Sequence, residues 1–113
     1  MSTEGPVNVR VSANKRKFAY VDFTKHRLHE GVNEILISGL GSAIADAVSV
    51  TELLKNQGLV VVKKIHTSRG DVEAARLNYV DKIEIVVGKS PDFDSIYKEQ
   101  QQAREAAAAA RKQ

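Results

Sequence analysis

The chain has 113 residues, 17 Lys/Arg against 14 Asp/Glu, and neither cysteine nor tryptophan. That length suits one domain with a real core, small enough for association with a second chain to help cover it. The missing cysteine excludes disulfides, thiolate catalysis and Cys-based metal sites. No apolar run reaches membrane-spanning length, and Met1-Ser2-Thr3-Glu4-Gly5-Pro6 lacks a signal-like apolar region, so a soluble protein of the cytoplasm or nucleus is expected, with no membrane partner.

Residues 1–6 read as a flexible arm. Val7, Val9 and Val11 alternate with Asn8, Arg10 and Ser12, the period-two pattern of a strand with one buried face. Lys15, Arg16 and Lys17 then form a basic loop. The charge excess lies in this region: residues 1–31 hold six Lys/Arg against three acids, 32–90 hold seven of each, and 91–113 four of each. A focused cationic spot on a balanced surface points to a polyanion, because Lys and Arg gain affinity by displacing counterions from phosphates. A solvated charged turn is the alternative.

Phe18 to His29 reads as a helix with Val21, Thr24 and Leu28 on one face and Gly31 as its left-handed stop. Val32 to Ser38, with Ile35-Leu36-Ile37, has the apolar continuity of a central strand covered on both faces. Gly39-Leu40-Gly41-Ser42 is a tight loop into a long helix, about 43–57 and closed by Gly58. Ile44, Ala47, Val48, Thr51 and Leu54 form one stripe of that helix and Ala43, Val50 and Leu53 a second. A helix so widely apolar needs a partner besides its own sheet, so Val50 and Leu53 are expected at a dimer interface.

Residues 59–68 and 79–87 read as a hairpin with a long mobile tip, Ile83, Ile85 and Val87 pointing inward and Lys63 and Lys64 to opposite faces. Ser90-Pro91-Asp92 opens a last helix, docked by Phe93, Ile96 and Tyr97. From Gln101 onward no large apolar side chain remains, so this end should project into solvent. The order β-α-β-α-β-β plus a C-terminal helix is an α+β architecture: a mixed four-stranded sheet with two helices on one face.

Phe18-Ala19-Tyr20-Val21 after the basic loop, Gly39-Leu40-Gly41-Ser42-Ala43-Ile44-Ala45-Asp46-Ala47-Val48, Glu52-Leu53-Leu54-Lys55-Asn56 before Gly58-Leu59, and Lys63-Lys64-Ile65-His66-Thr67-Ser68 together resemble the Alba family, in its eukaryotic branch. The resemblance covers about residues 7–89, with 90–113 a helical tail. It implies a homodimer, or a heterodimer with a related Alba chain, that binds DNA or RNA without catalysis through basic loops and hairpin arms. Lys15 matches the second lysine of the family's loop, the one regulated by acetylation, while Asn14 replaces the first. Archaeal members carry arginines where this chain has Leu40 and Ser42, and an aromatic that joins dimers into filaments where it has Gly58. The missing arginine pair, with the eukaryotic resemblance, argues against duplex-DNA packaging and favours RNA, and Gly58 argues against side-by-side filaments on DNA.

The nucleic-acid-binding candidates are accordingly Lys15, Arg16, Lys17, Tyr20 as a stacking ring, Gly41 and Ser42 as backbone and hydroxyl contacts, Lys63, which matches a family lysine, and Arg69 and Arg76 in the hairpin tip. His26, His29 and Glu30 read as surface groups rather than metal ligands. His66 has no nucleophile at motif spacing, and no catalytic, cofactor or small-molecule motif stands out. Rival readings are a chromatin-type DNA binder, a paired protein of an RNase P/MRP-like ribonucleoprotein, and a protein-interaction module.

Overall fold

The computed structural model describes residues 7–13, 15–70 and 80–111. The chain runs β1 (Val7–Val11), α1 (Lys17–His29), β2 (Glu34–Leu40), a 3-10 turn (Gly41–Ala43), α2 (Ile44–Asn56), β3 (Val60–Gly70), β4 (Val80–Lys89) and α3 (Phe93–Arg111). The sheet order is β1-β2-β4-β3, with β1 parallel to β2 and the other pairs antiparallel. The expected mixed four-stranded sheet is present, and the strand and helix bounds fall within about two residues of those read from the pattern.

One face of the sheet builds the core. Val9, Val11, Ile35, Ile37, Ile83, Ile85 and Val87 are buried there against Val21 and Leu28 of α1 and Ala47, Val50 and Leu54 of α2. The two buried helical hydroxyls are satisfied within their own helices: Thr24 Oγ1 donates to the Tyr20 carbonyl at 2.8 Å and Thr51 Oγ1 to the Ala47 carbonyl at 2.9 Å. Among the described residues no helix lies over the second face. Leu36 and Val86, paired across β2 and β4, are only half-buried there, so the central strand is covered on one face and not on both.

Two further expectations change. Val50 is fully enclosed in the chain's own core and offers no surface to a partner. The buried stripe of α2 runs Ala47, Val50, Thr51, Leu54, continuing from Ala43 in the preceding turn, and Leu53 is half-buried against it, whereas Val48 stands out at 40% exposure. The helix's rotation is fixed by its start. A Cβ on Gly39 would lie 2.6 Å from the Ala43 carbonyl oxygen and 3.1 Å from the Ala47 Cβ, so only glycine lets α2 settle this closely on β2, with Ala43 and Ala47 facing the sheet. In β3, a register shift between Val62 and Lys64 is a bulge that cancels one alternation. Lys64 lies opposite Val86 and Lys63 reaches Glu34, so both lysines occupy the open face rather than opposite faces.

The last helix is capped as expected, with the Asp92 N–H donating to Ser90 Oγ at 3.0 Å. Phe93 is completely buried and its ring lies 5.5 Å from that of Tyr97, which stacks on His29 at 4.3 Å. Docking extends one turn past Tyr97. Gln100 Nε2 donates to Gln57 Oε1 at 2.9 Å, and Lys25 Nζ donates to Gln100 Oε1 at 3.0 Å. Burial pushes the Lys25 pKa down; Asp22 opposes this shift and Arg104 adds to it. Residues 102–111 are exposed throughout. Phe93→Ala is expected to cost ~3–5 kcal/mol of unfolding free energy, the usual range for a buried ring. Removing residues 102–113 should leave the urea midpoint nearly unchanged, and a truncation as costly as Phe93→Ala would show that the exposed turns of α3 bear on stability.

Candidate nucleic-acid interface

The basic loop is built by a turn between two rigid elements. The Lys15 N–H donates to the Ser12 carbonyl at 3.3 Å, and the Ser12 N–H donates to the Tyr20 hydroxyl at 2.8 Å. Tyr20 is half-buried against the core and ties the end of β1 to α1. Its geometry is that of an anchor for the loop rather than of a ring presented for stacking. The exposed aromatic here is Phe18, at 63%. In the sequence Phe18 reads only as the first residue of the helix, and nothing there marks it rather than Tyr20 as the exposed ring.

Lys15, Arg16 and Lys17 are exposed and, among the described residues, make no ion pair. Arg16 is the N-cap of α1 without a side-chain capping bond, and the first turn holds no acid. Three cations therefore stand at the positive end of the helix dipole, where each is electrostatically unfavourable. Many of the other cations are partnered. Lys63 Nζ donates to Glu34 Oε2 at 2.9 Å, Arg69 Nε donates to Asp81 Oδ1 at 2.9 Å, and Lys82 lies 3.4 Å from Glu84. These pairs are partly exposed and individually weak, so Lys63 and Arg69 can exchange partners for a phosphate, but they start neutralised. Arg76 lies outside the described residues.

Beside the basic loop, the end of the open sheet face forms a cleft of about 460 Å³. Gly41, at φ +54°, turns the chain out of β2 along one rim and leaves Gly41 and Ser42 exposed. Ser12 and Ala13 of the loop form another wall. Two cations also line the cleft, Arg10 on β1 and Lys82 on β4. Neither stood out in the sequence, since each is a single charge in an alternating strand and only the β1-β2-β4 order brings them to one place. The fold thus gathers Lys15–Lys17, Gly41 and Ser42 at one end of the sheet. Lys63 lies towards the opposite end of β2, beside Glu34, and Arg69 lies on the outer part of the β3–β4 hairpin. Among the described residues no group of His, Asp and Glu is placed to hold a metal, and no helix is long and apolar enough to cross a membrane.

Residues 7–69 match the family model for Alba. The chain is 44% identical over 92 residues to an uncharacterized protein of Arabidopsis thaliana, an alignment covering 78% of this chain and 70% of the relative. The crystal structure of ALBA1 from Trypanosoma brucei superimposes with a TM-score of 0.82 at 50% identity, covering 96% of this chain and 91% of that one. Alba from Thermoplasma volcanium shares the fold, with a TM-score of 0.67 at 22% identity over 73% of this chain and 99% of that one. The matched region runs from β1 through the two core helices and along β3, the elements that carry the basic loop and most of the cleft, and the chain belongs to the Alba family of nucleic-acid-binding proteins.

Proposed function

We propose that this protein is a dimeric, non-enzymatic nucleic-acid-binding protein of the cytoplasm or nucleus that favours RNA. The observation that carries this reading is the unpaired triplet Lys15, Arg16 and Lys17 at the uncapped start of α1. Charges held without a partner at a site that disfavours them are relieved by an anion, and a phosphate chain supplies several anions at a fixed spacing. Phe18 adds a stacking face beside the cations, which suits bases not already stacked in a duplex. Gly41 and Ser42 border the same surface, Lys63 and Arg69 lie along the hairpin strand β3, and Arg76 is a further candidate outside the described residues. Contacts of this kind fix affinity and orientation with little choice of sequence. Lys15 is exposed and open to acetylation, which would remove one of the three charges.

Replacing Lys15, Arg16 and Lys17 by alanine should weaken single-stranded RNA binding by roughly tenfold to a thousandfold and flatten the salt dependence by about 0.7 per lost contact per subunit. Lys15→Gln should act in the same direction, more weakly, and Lys63→Ala or Arg69→Ala should do less than the triple change. A folded triple variant with unchanged affinity and salt slope in fluorescence anisotropy contradicts the reading. DNA bound as tightly as RNA would favour the chromatin-type reading instead.

The dimer interface we propose lies on the helix-bearing side of the sheet, a reading supported by the 40% and 61% exposure of Val48 of α2 and Ile65 of β3. Leu53 lends partial support from within the core, and Val50 takes no direct part. The wild type should sediment as a dimer at micromolar concentration. Val48→Glu with Ile65→Glu, both at exposed positions, should give a folded monomer, because an unpaired charge in such an interface costs several kcal/mol. A wild type that sediments as a monomer leaves a heterodimer with a related chain as the form to seek.

A further inference from the structure

We propose that the cleft at the end of the open sheet face receives one unstacked nucleotide of a bound strand, making it a recognition site for single-stranded nucleic acid. The inference rests on the nucleic-acid-binding reading above and adds to the basic loop a second site of different chemistry. The cleft's volume, about 460 Å³, lies within the ~300–1,000 Å³ typical of small-molecule sites.

Its walls are arranged in rows by the strand register. In the inner row, Arg10 lies opposite Ser38, which lies opposite Glu84; in the outer row, Leu40 lies opposite Lys82. The two cations thus flank β2 from the strands on either side of it. Arg10 has no ion pair among the described residues, and Lys82 is held only by the partly exposed contact with Glu84. Both are available to the phosphates on either side of a nucleotide. Between them Leu40 is 52% exposed, an unusual position for a large apolar side chain at the end of a central strand. Its isobutyl group gives an exposed apolar contact against which the face of a base can pack. The polar groups stand at the edge: Ser38 Oγ donates to Asn8 Oδ1 at 3.4 Å, which leaves the Asn8 amide hydrogens to donate to a base or sugar, and the Ser42 hydroxyl stands at the rim. Cations on two sides, an apolar seat and polar edges match a nucleotide better than they match phosphate alone. A base inside a duplex cannot reach such a seat without being unpaired and unstacked. The cleft therefore discriminates by strandedness, which phosphate contacts cannot do alone.

Ala13→Trp fills the cleft from an exposed position without changing charge. It should lower affinity for a single-stranded RNA oligonucleotide by about tenfold, the worth of one lost base contact. Affinity for an RNA duplex of equal length should hold within about twofold. In NMR titrations of the wild type, adenosine 5′-monophosphate should shift the amides of Ser12, Gly39 and Ser42 more than inorganic phosphate at the same concentration. Equal losses for both RNAs, no loss for either, or equal shifts from inorganic phosphate would overturn the proposal. A wild type that binds neither RNA removes the functional reading itself, and the comparison of adenosine monophosphate with phosphate then decides the cleft alone.

Discussion

The arrangement depends on positive charge left uncompensated at the start of α1. A helix N-terminus presents unsatisfied N–H groups and the positive end of the dipole, and sequences usually place an Asp, Ser or Thr there. This chain places Lys15, Arg16 and Lys17 there instead, with no capping side chain and no acid in the first turn. The local cost is on the order of 0.3–1 kcal/mol for each charge near the terminus. Nothing in the packing requires it, since all three side chains are exposed. In the proposed function the charges and the helix end act together as an anion site, and the fold holds them against a rigid base.

That base comes from the sheet. Val9 and Val11 bury β1 against the helices, and Tyr20 carries the hydrogen bond that fixes the end of β1 to α1. The loop between is therefore short and tethered at both ends, so its cations lose less chain entropy on binding than the same charges in the exposed turns of α3 would. Gly39 and Gly41 bring α2 down onto β2 and turn its entry outward, which places the Gly41–Ser42 rim beside the basic loop. The parallel β1-β2 pair and antiparallel β2-β4 pair then set Arg10 and Lys82 on either side of Leu40.

Much of this was legible in the sequence, for physical reasons that also explain the failures. Period-two alternation at Val7–Val11 and Ile83–Val87, the glycines after each core helix and the Ser90 cap are local signals, and each element they predict is present. Helix rotation is not local. Val48 and Val50 are equally apolar, and tertiary packing, including the close approach at Gly39, leaves Val50 buried and Val48 exposed. A bulge leaves little trace in composition, so the two adjacent lysines of β3 read as opposite-facing when both occupy the open face. The ion pairs that neutralise Lys63 and Arg69 join separate strands, so the sequence marked those residues as cations without showing that their charge is already balanced. Arg10 and Lys82 are 72 positions apart in sequence and meet at one cleft only through the strand order.

The measurement that tests the central claim most directly is the paired change in stability and RNA affinity on Arg16→Asp. Arg16 already has the extended N-cap conformation, φ −68° and ψ 134°, that an aspartate cap adopts. If the basic start of α1 is held at a local cost in order to bind an anion, the aspartate should stabilise the fold by roughly 1 kcal/mol. The melting temperature would then rise by about 4–8 °C, on the scale for a domain of this size. The same variant should lose at least about tenfold in RNA affinity, through the charge removed and the charge introduced. A variant that melts no higher than the wild type and binds RNA as tightly would contradict the account.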